Sequence, residues 1–240
     1  MRKKNFLFDT NVNFRDVDFA PNRGNRWRAL RVFFCAIFIF FVLSVNFYAY
    51  ALPLSKKIIV IDAGHGGWDP GKVQCETEEK HINLCIAKKL QTFLEQSGAT
   101  VFITRADDEG LGKTKTGDMK ARRNIANTSH ADIFVSIHQN SFRNTKVHGA
   151  QTFFYNSSDN SQKLATSIQN RLREFADPQN KFNPKENDNY FVLKQTEMPA
   201  VLVECGFMTN QDECGKLQTD AYQEKIAWSI YLGIVDYFCS

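Results

Sequence analysis

His65, Glu79, His138 and Glu204 are the residues of this 240-residue chain whose types and placement suit metal binding and proton transfer. His65 sits in a glycine cluster (Gly64, Gly66, Gly67, Gly71) that ends the apolar run KIIVIDA. His138 closes the run DIFVSIH, Glu204 closes AVLVE, and Glu79 opens a helical pattern just beyond the glycines. Two imidazoles and a carboxylate form a ligand set of the kind catalytic zinc uses, with a fourth position left for water. A metal so held makes water nucleophilic near neutral pH and polarises a carbonyl. A neighbouring carboxylate can then take the water's proton and return it to a leaving amine. Glu204 is the candidate for that base, although spacing alone does not distinguish it from a fourth ligand. Taken singly each residue says little, since a Glu at a helix start is most often a favourable charge near the helix N-terminus. His81, His130 and His148 have no comparable placement.

The elements that must position these groups follow from periodicity. Residues 57–63 (KIIVIDA), 100–104 (TVFIT), 132–138 (DIFVSIH), 150–155 (AQTFFY), 190–193 and 200–204 read as short strands rich in β-branched and aromatic residues. Between them, Ile82, Ile86, Leu90 and Leu94 recur at helical spacing over 79–96 before a stop at Gly98. Further helices are expected over 118–128, 164–175 and about 221–237, with a polar loop at 177–189. Strands alternating with helices predict a single α/β domain, a mostly parallel twisted sheet flanked by helices on both faces. In such sheets ligands bind beyond the carboxyl ends of the strands, where His65, His138 and Glu204 fall.

Composition narrows the function further. Residues 1–51 carry eight Lys/Arg against three Asp/Glu, which leaves 22 against 23 in the remainder, so no nucleic-acid partner is expected of the domain. The chain reads as a polar, basic segment (1–31), an apolar stretch (32–51) and a catalytic domain (55–240). The run VFFCAIFIFFVLSV, preceded by Arg23, Arg26, Arg28 and Arg31 and followed by Ala49-Tyr50-Ala51, has the layout of a secretory signal with cleavage after Ala51. Left uncut, residues 32–52 would be long enough for a membrane anchor. Either way the domain is expected beyond the cytoplasmic membrane. Outside the apolar run lie Cys75, Cys85, Cys205, Cys214 and Cys239, too few and too irregular for a disulfide framework. They read as buried free thiols, with one pairing left open by export.

The segments IVIDAGHGG, EEKHINLCIAKKL, VSIHQNS and LVECGFMTN, in this order, resemble the zinc-dependent N-acetylmuramoyl-L-alanine amidases of the amidase 3 type over roughly residues 56–238. The resemblance implies Zn2+ as cofactor, His65, Glu79 and His138 as its ligands, Glu204 as the catalytic carboxylate and peptidoglycan as substrate. Glu76 and Glu78 rival Glu79 by position alone. The Glu-Lys pair and the Asn-Leu after it place the match on Glu79. GAQTFFY, YFVLK and the lack of a wall-binding module are similar to the CwlD-like branch, which implies a role in spore cortex maturation, where the cut precedes muramic lactam formation, and in germination. A lone catalytic domain also implies a protein partner that directs it. The alternatives are a zinc carboxypeptidase or endopeptidase on the wall's stem peptides, and an amidase-fold binding protein with weak turnover.

His81 and Gln139 depart from the family pattern beside the expected ligands. Arg122 and Arg123 are weak candidates for a substrate carboxylate, a solvated helix face being their ordinary role. Asp62 is a candidate to orient His65 or to cap locally. Cys205 has no activating histidine near it in sequence and is not expected to be a nucleophile.

Overall fold

The protein is described by a computed structural model covering residues 23–49, 52–155 and 158–240. The chain divides into two units, Met1–Tyr50 and Ala51–Ser240. The first contains helix α1 (Arg23–Ala49). Among the described residues no helix is long and apolar enough to cross a membrane. The first turns of α1 carry the arginines, and the apolar run follows them within the same helix. Most of the basic segment, with Tyr50 and Ala51 of the cleavage-like sequence, lies outside the described residues.

The second unit is the expected α/β domain. Its sheet runs in the order β4 (Thr100–Ile103), β1 (Ile58–Ala63), β5 (Ile133–Asn140), β8 (Ala200–Phe207), β6 (Gln151–Phe154), β7 (Lys185–Glu186). Neighbours are parallel except β6, which runs antiparallel to β8. A separate hairpin joins β2 (Val73–Gln74) to β3 (Thr77–Glu78). Ile59, Val60 and Ile61 of β1 and Ile133, Phe134 and Val135 of β5 are fully buried, as central strands covered on both faces require. On one face Ile82, Ile86, Leu90 and Leu94 of α2 (Glu79–Gln96) join Leu164 and Ile168 of α4 (Asp159–Arg171). Ile226, Ile230 and Ile234 of α7 (Asp220–Cys239) complete that core. On the other, Ala126 of α3 (Lys115–Thr128) and Val192 and Leu193 of α5 (Phe191–Gln195) pack over Val60, Phe134 and Leu202. Each such aliphatic side chain contributes about 1.5–3 kcal/mol on burial, so the central strand ends are rigid mounts for whatever they carry.

Several elements differ from the sequence reading. Residues 190–193, expected as a strand, start helix α5, because both sides of β8 are already paired, by β5 and β6, and Val192 and Leu193 find burial as one helical turn. The helix expected over 164–175 is α4 followed by a π-helical turn, Leu172–Ala176. The polar loop contains β7, and α6 (Gln211–Leu217) was not foreseen. Strand β8 continues past Glu204 to Phe207, which places that glutamate within the strand rather than at its end.

The cysteines fit the reading in part: the one pairing left open forms and Cys205 is buried as expected, but two free thiols are exposed rather than buried. Cys75 and Cys214 form a disulfide, while Cys205 is a buried free thiol and Cys85 and Cys239 are exposed. The β2–β3 hairpin turns on Cys75 and Glu76, both with left-handed backbones (φ 52° and 59°) of the kind a two-residue hairpin needs and non-glycine residues resist. Cross-linking this turn to α6 holds the hairpin next to the start of α2. Breaking the link should cost roughly 2–5 kcal/mol. Urea unfolding of the oxidised protein, the dithiothreitol-treated protein and C214S should show equal losses in the last two, with no further effect of reductant on C214S.

Candidate functional site

The loop after β1 carries His65 with its backbone in the left-handed region, φ 61°, between Gly64 and Gly66. From there the imidazole meets Glu79, the first residue of α2, and His138 on the carboxyl half of β5. His65 Nε2 is 3.3 Å and His138 Nδ1 is 3.0 Å from Glu79 Oε1. One ligand atom from each of the three lies within 4.8 Å of the others, so the group can hold a metal ion. The glycines are required by the same closeness. A Cβ on Gly64 would collide with the His138 ring, and one on Gly71 would come 2.6 Å from Glu79 Oε2 and 2.7 Å from His65 Cδ2.

The surroundings fix each ligand. Asp69 Oδ2 is 2.9 Å from His65 Nδ1, which leaves Nε2 as the nitrogen facing the cluster. Glu79 Oε1 accepts from Asn83 Nδ2 (3.2 Å) and the Gln139 amide (3.0 Å), and Oε2 accepts from the Lys72 amide (2.9 Å). Gln139 also donates to Asn83 Oδ1 at 3.1 Å, so the residue that departs from the family pattern braces the side chain that braces Glu79. His81, the other departure, is exposed and pairs with Glu78 outside the cluster. Glu76 turns the hairpin and Glu78 pairs with Lys80, which leaves Glu79 as the carboxylate at the histidines.

Glu204 lies opposite His138 in the β5–β8 ladder and lines the same cavity of about 430 Å³. It is 7 % exposed; Tyr190 donates to Oε1 at 3.3 Å, and Oε2 has no partner among the described residues. Burial pushes its carboxyl up to about 7; the histidines and the tyrosine oppose the rise and the charge of Glu79 adds to it. Glu79 is displaced the other way. Burial alone would raise its pKa, but hydrogen bonds from His138 and His65 outweigh that and hold it below the usual carboxylate range. Burial disfavours the cation of His65, yet Glu79 and Asp69 raise its pKa on balance.

The arginines and Asp62 behave differently from expectation. Arg122 is buried, not solvated. It donates to Asp62, Asp118 and the carbonyls of Ala63 and His65, and it also lines the cavity described above. Arg123 is half-buried, bonds only Asn124 and does not line the cavity. Asp62 does not reach His65. It accepts from Thr104, Ser136 and Arg122, and that salt bridge holds its pKa down against burial. The residue that does orient His65, Asp69, was missed, though its place four residues on in HGGWD was visible. Asn83, Tyr190 and Arg105 were missed as well.

A family model described as N-acetylmuramoyl-L-alanine amidase matches residues 59–236. The germination-specific N-acetylmuramoyl-L-alanine amidase of Bacillus subtilis (strain 168) is 35% identical over 197 residues, 79% of this chain and 83% of the relative. Among solved structures, the CwlD amidase from Clostridioides difficile in complex with the GerS lipoprotein superposes with a TM-score of 0.74 at 42% identity, covering 77% of this chain and 99% of that one. An N-acetylmuramoyl-L-alanine amidase from Clostridium difficile 630 gives 0.70 at 33% identity, covering 77% and 97%.

The raised pKa of Glu204 has a stability consequence. Between the ordinary carboxylate range and about 7 the folded protein binds a proton that the unfolded chain does not, so this residue's contribution falls as pH rises through that window and stays lost above it. In chelator-treated protein, E204Q should therefore exceed wild type in stability at pH 8 by on the order of 2 kcal/mol, the gap closing by pH 5. Paired urea titrations at the two pH values measure it, and equal gaps would refute it.

Proposed function

The chain belongs to the N-acetylmuramoyl-L-alanine amidase family, and we propose that it cuts the amide between the lactyl group of N-acetylmuramic acid and L-alanine in peptidoglycan, using zinc held by His65, Glu79 and His138. The observation that carries this reading is the convergence of three ligand atoms within 4.8 Å beside a cavity that also receives the buried carboxylate of Glu204. The donor set suits zinc, and the glycine-lined closeness of the three side chains leaves no room for a larger residue in its place. Zinc bound there supplies Lewis acidity toward the amide carbonyl and makes water nucleophilic near neutral pH.

The chain's own residues do the remaining work. Asp69 keeps the Nε2 edge of His65 turned inward. Asn83 and the amides of Lys72 and Gln139 fix Glu79 and satisfy its lone pairs, which keeps it ionised. Glu204, with a pKa near neutrality, takes the proton of the attacking water and delivers it to the L-alanine nitrogen as the C–N bond breaks. A carboxylate poised at about 7 suits both halves of that exchange.

The biological setting is part of the proposal. Similarity to a germination-specific relative and to a CwlD amidase over nearly their full lengths supports a role in spore cortex maturation and germination, with the cut preceding muramic lactam formation. The lipoprotein bound to that neighbour supports a protein partner for this chain as well. The arginine-flanked apolar run of 32–45 and the Cys75–Cys214 disulfide support export to an oxidising compartment, through a signal segment or an anchor.

Purified protein incubated with peptidoglycan should release new L-alanine amino termini when zinc is present and none after chelation. Glu204→Ala should keep bound zinc yet lose turnover about 100-fold or more, and His65→Ala should lose the metal. Absence of release from zinc-loaded wild type would refute the reading, and mass spectra showing cuts within the stem peptide would replace it with the peptidase alternative.

A further inference from the structure

The cavity contains a group that the ligand set and the base do not account for. Tyr190 lines it, and its hydroxyl donates to Glu204 Oε1 at 3.3 Å. Among the described residues this is the only hydrogen bond recorded for the Glu204 carboxyl, since Oε2 has none. The last torsion of a glutamate is broad, and a buried carboxylate with few partners is poorly stabilised as an anion. Among the described residues the phenol is therefore the one hydrogen-bond partner that holds the Glu204 carboxyl.

Tyr190 is itself held firmly. Its amide donates to Asn187 Oδ1 at 3.1 Å, and the Asn187 amide donates to the Phe154 carbonyl at 2.9 Å, which ties the approach to α5 to strand β6. The ring packs edge to face on Phe153, centroids 5.5 Å apart at 82°. Val192 and Leu193 anchor the following turn in the core. Strand β6 and helix α5 thus aim one hydroxyl at one carboxylate oxygen, an arrangement that packing alone would not require.

We propose that Tyr190 is a positioning residue for the amidase reaction: its hydroxyl binds Glu204 Oε1, fixes the plane of the carboxylate and leaves Oε2 to exchange the proton. This rests on the assignment of Glu204 as base. Holding a base within hydrogen-bond reach of its proton acts on the chemical step, because small misplacements there cost rate rather than binding. Loss of the hydroxyl should therefore appear in kcat and spare KM.

Y190F keeps the ring and its contact with Phe153 and removes only the hydroxyl. Zinc-loaded Y190F, assayed on soluble muropeptides, should lose kcat by roughly tenfold or more while KM stays within about twofold, with zinc content and Tm as in wild type. Tyr190→Leu, which removes the ring too, should lose no more than several-fold in kcat beyond Y190F. A kcat for Y190F within twofold of wild type overturns the proposal, as does a change confined to KM, which would make Tyr190 a substrate-binding residue. E204Q is run alongside. If E204Q keeps turnover, the base assignment fails and this proposal with it. If E204Q is silent and Y190F turns over normally, the role of Tyr190 alone is refuted.

Discussion

Glu79 Oε1 lies 3.3 Å from His65 Nε2 and 3.0 Å from His138 Nδ1, and the site is arranged around this buried anion. An ionised carboxylate withdrawn from water costs several kcal/mol unless opposite charge and hydrogen bonds replace the lost solvent. Here the replacements come from three directions: imidazoles from the β1 loop and β5, amides from Lys72 and Gln139, and Asn83 one turn along the same helix. The first turn of α2 adds the positive end of a helix dipole. The Glu79 amide donates to the Lys72 carbonyl at 2.9 Å, which sets where the helix begins and so where the carboxylate points. A cation placed among these donors completes the compensation.

Delivering His65 to that anion requires the chain to leave β1 through an unfavourable backbone, and two buried guanidiniums hold it there. Arg105 donates to the carbonyls of Ala63, Gly64 and Lys80, and Arg122 to those of Ala63 and His65. Three successive carbonyls that lose their ladder partners where the strand ends are thereby satisfied. Arg122 is neutralised by Asp62 and Asp118, whereas among the described residues Arg105 has only carbonyl oxygens within hydrogen-bond distance. Burial and the like charge of Arg122 lower its pKa accordingly. This accounts for why basic residues at 105 and 122 brace the loop after β1, Arg122 also lining the cavity.

What could be read from the sequence was whatever local pattern controls. The apolar runs of β1, β5 and β8 are buried on both faces, so their composition alone marked them as central, and the groups near their carboxyl ends followed. The first residue of α2 was legible because helical periodicity begins there. The burial of Arg122, the pairing of Cys75 with Cys214 and the Asp69 contact depend on positions brought together by the fold, and only the last lies within one turn of its partner in sequence. Residues 190–193 show the limit most directly. Their apolar and aromatic content suits a strand, but the sheet had no free edge at β8, and tertiary context made them a helix.

The two glutamates of the cavity show how one fold assigns opposite tasks to the same side chain. Both are buried, so desolvation acts on each in the same direction. Glu79 has two imidazoles and three further donors, and these overcome burial, leaving an anion suited to holding a cation and poorly suited to be a base. Among the described residues Glu204 has a single phenol and the repulsion of Glu79, and burial prevails, pushing its carboxyl up. Each state reinforces the other, because the fixed charge on Glu79 is one of the reasons Glu204 resists ionisation. The proposed division of labour between ligand and base therefore rests on the number of donors each strand and loop supplies, a difference that strand position alone does not carry.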